Sequence, residues 1–260
     1  VTRKTRLQEL IERLNSRGQA KFYIEHAGGD FSEYEKEDRT YHKSLEVLRR
    51  SLDLGVKLQF IDRALVPTTL FAPTDVIVTI GQDGLVANTA KYVGNQPIVA
   101  VNPDPERFDG ILLDFLPAEA AGALRNVLEG KADIKQITLA ESLLSDGQKL
   151  LAFNDFFIGT RSHVSARYTI SHHGKSEPHS SSGVLVSTGA GSTGWLSSVF
   201  NMAAGMAKFS GGQAGQSLRF EWEDPRLMFV VREPFSSRHS RADLVAGIVD
   251  KGGELVIESL

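Results

Sequence analysis

Cysteine is absent from this chain of 260 residues. Its absence excludes disulfide bonds, thiol nucleophiles, iron–sulfur clusters and cysteine-based zinc sites. Structural disulfides are typical of oxidising compartments, so a cysteine-free chain fits a reducing one. We therefore expect a cytoplasmic protein.

Long apolar runs and blocks of basic residues are also missing. No stretch approaches the ~20 apolar residues that a membrane-spanning helix needs, and we expect no secretory leader. The formal net charge is -3, so neither nucleic acid nor an anionic membrane is an expected partner. The chain opens at Val1 rather than Met, and we expect further residues to precede it.

The first part of the chain has the pattern of an α/β domain. Residues 75–80 form a nearly continuous apolar run rich in β-branched residues, as in a strand buried on both faces. A turn, a helix over 85–92 and a strand over 97–101 follow, which together predict a βαβ unit. We expect a doubly wound, Rossmann-like α/β domain over residues 1–116. Its other predicted elements are helices over 5–18 and 45–55, a surface loop over 28–40 and a strand over 56–61.

After Pro117 the pattern changes to short strands. A helix over 117–128 is followed by strands over 134–139, 149–153, 156–159, 166–171, 183–188, 218–223, 227–232, 243–249 and 254–258. One helix, Trp195 to Lys208, interrupts them, and Gly211 to Gly215 is expected to be a short loop. We therefore expect a second, mainly β, sandwich-like domain over residues 117–260.

The buried strand of the first domain ends in Gly81-Gln82-Asp83-Gly84. Glycines on both sides of a carboxylate let the backbone approach a ligand and point N–H groups at an anion. Ligands bind at the carboxyl ends of strands in open α/β sheets, where Asp83 could accept a proton from an attacking hydroxyl. Asp-Gly also closes tight turns. Local sequence alone leaves both interpretations open.

Residues 188–195 (Thr-Gly-Ala-Gly-Ser-Thr-Gly-Trp) connect a predicted strand to a predicted helix. Free backbone N–H groups at such a helix start bind anions or polar ligands. The three glycines match the spacing of the dinucleotide fingerprint, but the strand and acidic residue that it requires do not follow. We reject that interpretation. A helix start rich in small residues explains the glycines but not Ser192 and Thr193 in tandem.

Asn154-Asp155 is a polar pair between Phe153 and Phe156. Burying an amide and a carboxylate is costly unless each has a partner. The pair is therefore either a ligand-binding feature or the cap of a turn.

Three histidines, His172, His173 and His179, surround a predicted hairpin turn. We expect them to be solvent-exposed loop residues, and we expect no metal site in this chain.

Together these segments resemble the NAD kinase family. Its pattern is a GGDG turn in the first domain, then an Asn-Glu/Asp pair and a TxTGSTAY-like segment in the second. The three motifs occur here in that order, at residues 81–84, 154–155 and 188–195. Residues 101–107 and 231–234 look closer to the mitochondrial-type branch of the family.

The resemblance implies transfer of a phosphoryl group from ATP, or from polyphosphate in some members, to the adenosine-ribose 2′-hydroxyl of NAD, giving NADP. It implies that Asp83 is the base that activates this hydroxyl. The implied substrate-binding residues are Asn154 and Asp155 for the dinucleotide, Thr193, Gly194 and Ser198 in the same pocket, and Gly81 and Gly84 near the phosphates. The resemblance further implies Mg²⁺ with ATP, and a homodimer or homotetramer.

The chain departs from the family pattern at several positions. Gln82 replaces the second glycine of the turn, and Leu85 replaces the usual following Thr. Ser182 occupies a position where many family members have an Asp, and Trp195 replaces the usual Tyr. Because Gln82 and Leu85 lie in the turn that would carry the catalytic base, two alternatives stay open. One is a kinase of this fold that phosphorylates a lipid or a sugar, and the other is a catalytically weakened NAD- or NADP-binding protein.

Overall fold

Three helices occupy the first fifty residues of the computed structural model, which describes residues 1–213 and 215–260: α1 (Arg6–Leu14), α2 (Arg17–His26) and α3 (Phe31–Ser51). Thr5 begins α1 with a capping box, since its hydroxyl accepts from the backbone of Gln8 and the Gln8 side chain accepts from the backbone of Thr5. Apolar residues of α1 and α2 pack with Phe31 at the start of α3.

Helix α3 corrects the expectation of a surface loop over residues 28–40. Asp30 caps the helix by accepting a hydrogen bond from Ser32 N (2.8 Å). The segment looks polar because it carries many exposed polar side chains, while the buried or partly buried positions Phe31, Tyr34, Glu37 and Tyr41 follow one another at spacings of three or four residues. One of these inward residues is a glutamate, which conceals the apolar periodicity.

The predicted βαβ unit is confirmed. Strand β1 (Ile77–Ile80) is followed by α4 (Asp83–Ala90) and by β2 (Ile98–Val101), and β1 pairs in parallel with β2. Val1 extends this sheet, because Val1 N donates to Val78 O (2.6 Å) and Ile80 N donates to Val1 O (3.1 Å).

Helices cover both faces of this sheet. One face packs against α3 and α5 (Ala120–Leu128) through Leu48, Ile80, Val99, Val101 and Leu124. Ala100 points to the other face and packs with Val86 of α4. This is the doubly wound α/β arrangement that the sequence predicts. The strand predicted over residues 56–61 is not formed. An isolated parallel bridge joins Thr2 to Asp62, the residue that follows this segment.

The chain divides into two compact units, Val1–Ile134 and Lys135–Leu260. The domain boundary expected after residue 116 differs from this division. Helix α5 packs on the sheet of the first unit through Ala120, Ala123 and Leu124 and belongs with it.

The second unit is mainly β, as predicted. Its elements are β3 (Ala140–Leu143), β4 (Lys149–Ala152), β5 (Asp155–Ile158), β6 (Ala166–His172), β7 (Lys175–Ser181), β8 (Gly183–Ser187), α6 (Trp195–Phe209), β9 (Leu227–Arg232), β10 (Ala246–Val249) and β11 (Val256–Ser259). Antiparallel pairing gives a sheet in the order β10-β9-β8-β5, a sheet in the order β11-β6-β7 and the hairpin β3-β4. Tyr168 and Ile170 of the second sheet pack with Val184, Val186 and Phe229 of the first, as in a sandwich.

Two predicted strands of this unit are not formed. Residues 134–139 and 218–223 lie outside the named strands, although Thr138 N donates to Trp222 O (2.9 Å). Strand β7 was not predicted, because Lys175–Ser181 is polar and contains Pro178. The expected loop at 211–215 includes Ala214, which lies outside the described residues.

Two of the three histidines are buried, so the expectation that all are exposed loop residues is wrong. His172 is 6% exposed, with its ring nitrogens 3.0 Å from Glu254 O and 2.9 Å from Ile248 O. His179 is 2% exposed and hydrogen-bonds the Glu177 carboxylate (2.6 Å). Both lie on strands whose alternation turns them inward, whereas His173 in the turn is exposed.

An ion network around the buried Glu37 ties α3 to the start of the chain. Glu37 is 4% exposed and accepts hydrogen bonds from Arg6 and from Arg3 Nη2 (3.1 Å), while Arg107 Nη1 lies 3.7 Å from its carboxylate. Burial alone would raise the pKa of Glu37. The hydrogen bonds from the two arginines outweigh burial and hold the pKa below its ordinary value.

We predict that Glu37→Gln lowers the free energy of unfolding by about 3 kcal/mol at neutral pH, since it leaves the largely buried Arg3 guanidinium without its carboxylate. Because the pKa is lower in the folded state, this contribution is present above the ordinary pKa of 4.5 and is lost as pH falls through the folded value. Urea unfolding at pH 7 and at about pH 3 measures the difference. A gap between wild type and variant that stays equally wide at acid pH would contradict the role of this charge.

Candidate functional site

The candidate turn of the first unit connects β1 directly to α4. Gly81 is buried, and a Cβ at this position would lie 2.8 Å from Leu85 Cδ2 and 3.5 Å from Arg3 Cδ. Gly84 is exposed in the first turn of α4, where backbone N–H groups lack intrahelical acceptors. The turn thus presents helix-start N–H groups at the carboxyl end of a buried strand, which suits an anion.

Neither Gln82 nor Leu85 strains the backbone of the turn. Gln82 has φ −87° and ψ 166°, an extended conformation that any residue adopts. Leu85 is 2% exposed, so its side chain packs in the interior and fills the space beside Gly81.

Asp83 is partly buried, and its two carboxylate oxygens differ in their surroundings. Oδ1 accepts a hydrogen bond from Leu112 N at 2.6 Å. Oδ2 has no hydrogen-bond partner in the part of the chain that the structure describes. One oxygen therefore orients the carboxylate, and the other is free to accept a proton.

In the second unit, Asn154 and Asp155 stand where β5 begins, beside the end of β8. Asp155 is paired with Ser187, and Thr188 N donates to Asn154 O (2.9 Å). The Thr188 hydroxyl also contacts Phe153 O (2.6 Å) and Asn154 O (3.0 Å). These contacts bring the polar pair and the segment 188–195 together.

Two glycines of the segment 188–195 are required by close backbone contacts. A Cβ at Gly191 would lie 2.0 Å from Asn154 O, and one at Gly189 would lie 1.9 Å from Glu221 O. No side chain fits at either position. The lack of a side chain at Gly191 therefore lets the segment pack directly against the Asn154-Asp155 pair.

The remaining residues of this segment divide into buried and exposed ones. Ser192 is buried, and its hydroxyl donates to Gly189 O at 2.7 Å. Thr193, Gly194 and Ser198 are exposed around the start of α6. Ser192 thus supports the segment, while the three exposed residues are accessible to a ligand.

Asp155 is half-buried. Its carboxylate has no hydrogen bond or ion pair among residues 1–213 and 215–260, and burial raises its pKa. A carboxylate in this situation is costly to ionise unless a ligand donates to it, and such residues cluster at functional sites.

Sequence reasoning missed an aromatic cluster beside Gly194. The Trp195 ring stacks on Phe157 with centroids 5.2 Å apart, and the Arg232 guanidinium lies 5.4 Å from the Trp195 ring. Glu233, which pairs with Arg232, has a positive φ of 45°. The resemblance had drawn attention to residues 231–234, but no local pattern indicated that they contact Trp195.

The candidate residues thus form one group in each unit. Gly81, Asp83 and Gly84 lie together in the first unit. The group in the second unit is Asn154, Asp155, Thr193, Gly194 and Ser198.

Comparison with known proteins gives one sequence relative of note, and no protein-family model matches the chain. The chain is 25% identical, over an alignment of 280 positions, to NAD kinase 2, mitochondrial, from Rattus norvegicus. The alignment covers 81% of this chain and 66% of the rat protein. The chain therefore spans slightly less than two thirds of the length of this curated relative.

Solved structures of NAD kinases have the same fold. Yeast NADH kinase complexed with NADH superposes with a TM-score of 0.54 and 17% identity, covering 85% of this chain and 68% of that one. An NAD kinase from Archaeoglobus fulgidus in complex with ATP gives a TM-score of 0.50 and 20% identity, covering 82% and 74%. The comparisons confirm that the chain resembles the NAD kinase family and has its fold of an α/β domain followed by a β-rich domain.

We predict that Asp155→Asn leaves the fold intact and raises the free energy of unfolding at pH 7 by up to ~1 kcal/mol, because the variant removes a half-buried charge without a partner. A raised folded-state pKa means that protonation favours the fold. The stability of the wild type relative to the variant is therefore greatest at acid pH and falls as pH rises through the folded pKa. Urea unfolding of both proteins between about pH 3 and pH 8 measures this. A variant that is less stable than wild type at pH 7 would show that Asp155 has a structural partner.

Proposed function

We propose that this protein is an NAD kinase, which transfers the terminal phosphoryl group of ATP to the adenosine-ribose 2′-hydroxyl of NAD and yields NADP and ADP. The observation that carries the proposal is the geometry of Asp83, at the end of a buried parallel strand, with Oδ1 held by Leu112 N and Oδ2 without a hydrogen-bond partner in the described part of the chain. The likeness to NAD and NADH kinases in sequence and fold supports it.

Asp83 acts as the general base. Its free oxygen takes the proton of the ribose 2′-hydroxyl as the hydroxyl oxygen attacks the terminal phosphorus. The new O–P bond forms as the bond to the bridging oxygen breaks, and ADP leaves with that oxygen. Backbone N–H groups at the start of α4, beside Gly81 and Gly84, stabilise the charge on the phosphates.

Asn154 and Asp155 bind the dinucleotide in this proposal. Ribose hydroxyls or the adenine amino group donate to the Asp155 carboxylate and supply the partner that it lacks among the described residues. Thr193, Gly194 and Ser198 line the same pocket, in keeping with their exposure at the start of α6.

Mg²⁺ enters with ATP in this proposal. No group of three or more His, Asp and Glu side chains within the described ranges is placed to hold a metal ion. Mg²⁺ at nucleotide sites is bound largely by phosphate oxygens with one or two carboxylates, so a protein cage is not required. The ion would neutralise phosphate charge.

The turn geometry favours an active kinase over a weakened binding protein. The backbone at Gln82 is one that any residue adopts, and Leu85 points into the interior. The Asn154-Asp155 pair favours a dinucleotide acceptor over a lipid, since it adds polar partners suited to ribose hydroxyls. The likeness to NAD and NADH kinases favours a dinucleotide over a free sugar.

We also propose a cytoplasmic homodimer or homotetramer, on the basis of the cysteine-free composition and the family resemblance. None of the helices among the described residues combines the length and apolar character that crossing a bilayer requires.

Incubation with ATP, Mg²⁺ and NAD tests the proposed reaction, with NADP measured by an NADP-specific dehydrogenase. We expect NADP formation by the wild type and a fall in kcat of at least ~100-fold in Asp83→Asn, because the amide accepts no proton. Asp53→Asn, which changes an exposed carboxylate of the same unit, is the matched control and should retain full activity.

The outcomes separate the alternatives. NADP formation that is unchanged in Asp83→Asn would overturn the proposed base. Tight NAD binding without turnover would favour the weakened binding protein, and phosphorylation of a sugar or lipid but not of NAD would favour the other kinase class. Replacing ATP by polyphosphate identifies the donor.

Asp155→Asn tests the acceptor site separately. We expect about 10-fold weaker NAD binding by calorimetry, because a charge-assisted hydrogen bond becomes a neutral one. Asp243→Asn alters an exposed carboxylate of the same unit and should bind NAD like the wild type. Equal NAD affinity of both variants would exclude Asp155 from the site.

A further inference from the structure

The orientation of Asp83 depends on a loop that follows β2. The only hydrogen bond to its carboxylate from the described residues comes from Leu112 N, at 2.6 Å. Leu112 lies on the loop over residues 102–113. Whatever fixes the shape of this loop also fixes the direction of the proposed base.

Asn102 is the side chain that shapes this loop. It is 5% exposed, and it uses both ends of its amide: Nδ2 donates to Phe108 O at 3.1 Å, and Oδ1 accepts from Asp104 N at 3.0 Å. Its own backbone N donates to Phe115 O at 2.8 Å. The buried side-chain amide therefore connects the beginning and the middle of the loop, and the backbone N–H ties the start of the loop to the residues that follow it.

Gly110 places the next turn directly against the Asn102 amide. Its φ is +68°, and a Cβ there would lie 2.7 Å from Asn102 Nδ2. Leu113 N donates to Gly110 O at 3.0 Å, which closes the turn and leaves Leu112 N to donate to Asp83. The contacts therefore run from Asn102 through Gly110 and Leu112 to the carboxylate.

We propose that Asn102 is a positioning residue for the proposed base, acting through the Gly110 turn and Leu112 N to direct Asp83 Oδ2 at the acceptor hydroxyl. The inference rests on the proposed function, since it concerns the base of that reaction. Asn102 contacts neither ATP nor NAD in this proposal. It acts on the rate of phosphoryl transfer and not on the binding of ATP or NAD.

The test is the kinetics of Asn102→Ala. We expect kcat to fall about 10- to 100-fold, because a carboxylate that is misplaced by a fraction of an ångström accepts the proton poorly. KM for ATP and for NAD should stay within about two-fold of the wild-type values, since no binding group is removed. A purely structural role would not separate kcat from KM in this way.

Two further variants separate a loss of stability from a change in the turn. Leu124→Ala opens a cavity in the core under α5 and should lower the midpoint of urea unfolding without lowering kcat. Gly110→Ala keeps Asn102 but strains the turn, and it should reproduce the kcat loss. If Asn102→Ala does not fold, the kinetics of Gly110→Ala replace it as the test.

Amide hydrogen exchange at Leu112 gives a second measurement that needs no turnover. We expect slow exchange in the wild type and faster exchange in Asn102→Ala or Gly110→Ala. If the wild type makes no NADP, the proposed function fails, while this measurement still tests the chain of contacts. Wild-type kcat in both loop variants, or unprotected Leu112 in the wild-type protein, would overturn the inference.

Discussion

Close approach of backbone to backbone is the constraint on which the candidate site of the second unit depends. A Cβ at Gly191 would lie 2.0 Å from Asn154 O, so the segment that follows β8 reaches β5 only because this residue has no side chain. Thr188 adds hydrogen bonds across the same contact. Once the backbones are locked together, Asn154, Asp155 and the exposed start of α6 lie side by side. A site built on two neighbouring strands needs little further ordering when a ligand arrives.

The two aspartates of interest differ in how the protein treats their charge. Asp83 receives one hydrogen bond from Leu112 N, which orients it and leaves one oxygen for chemistry. Asp155 receives no hydrogen bond from the described residues, and burial raises its pKa. The first arrangement suits a group that must point in one direction during proton transfer. The second suits a group whose partner arrives with the ligand. A half-buried charge lowers the stability of the fold, and functional sites retain such destabilising residues.

Local patterns in the sequence predicted the parts of the fold that depend on apolar periodicity. The run of β-branched residues at 75–80 gave a correct β1, and the glycines at 81–84 marked its end. Prediction failed where buried positions are polar. Glu37 conceals the inward face of α3, and the buried Glu177 and His179 make β7 look like a loop. At the candidate site, side-chain motifs were visible, but the role of Leu112 was not. A backbone N–H carries no signature in the sequence, so only tertiary structure shows what it contacts.

The stacked pair of Phe157 and Trp195 gives this protein a spectroscopic property. The chain has two tryptophans, and Trp195 is 38% exposed at the start of α6, next to Gly194. Indole emission responds to nearby charge and to water, and the Arg232 guanidinium already lies 5.4 Å from this ring. The other indole, Trp222, is flanked by Lys135 Nζ at 5.4 Å. Because Trp195 lies next to Gly194, its emission is suited to report whether a molecule binds at the start of α6.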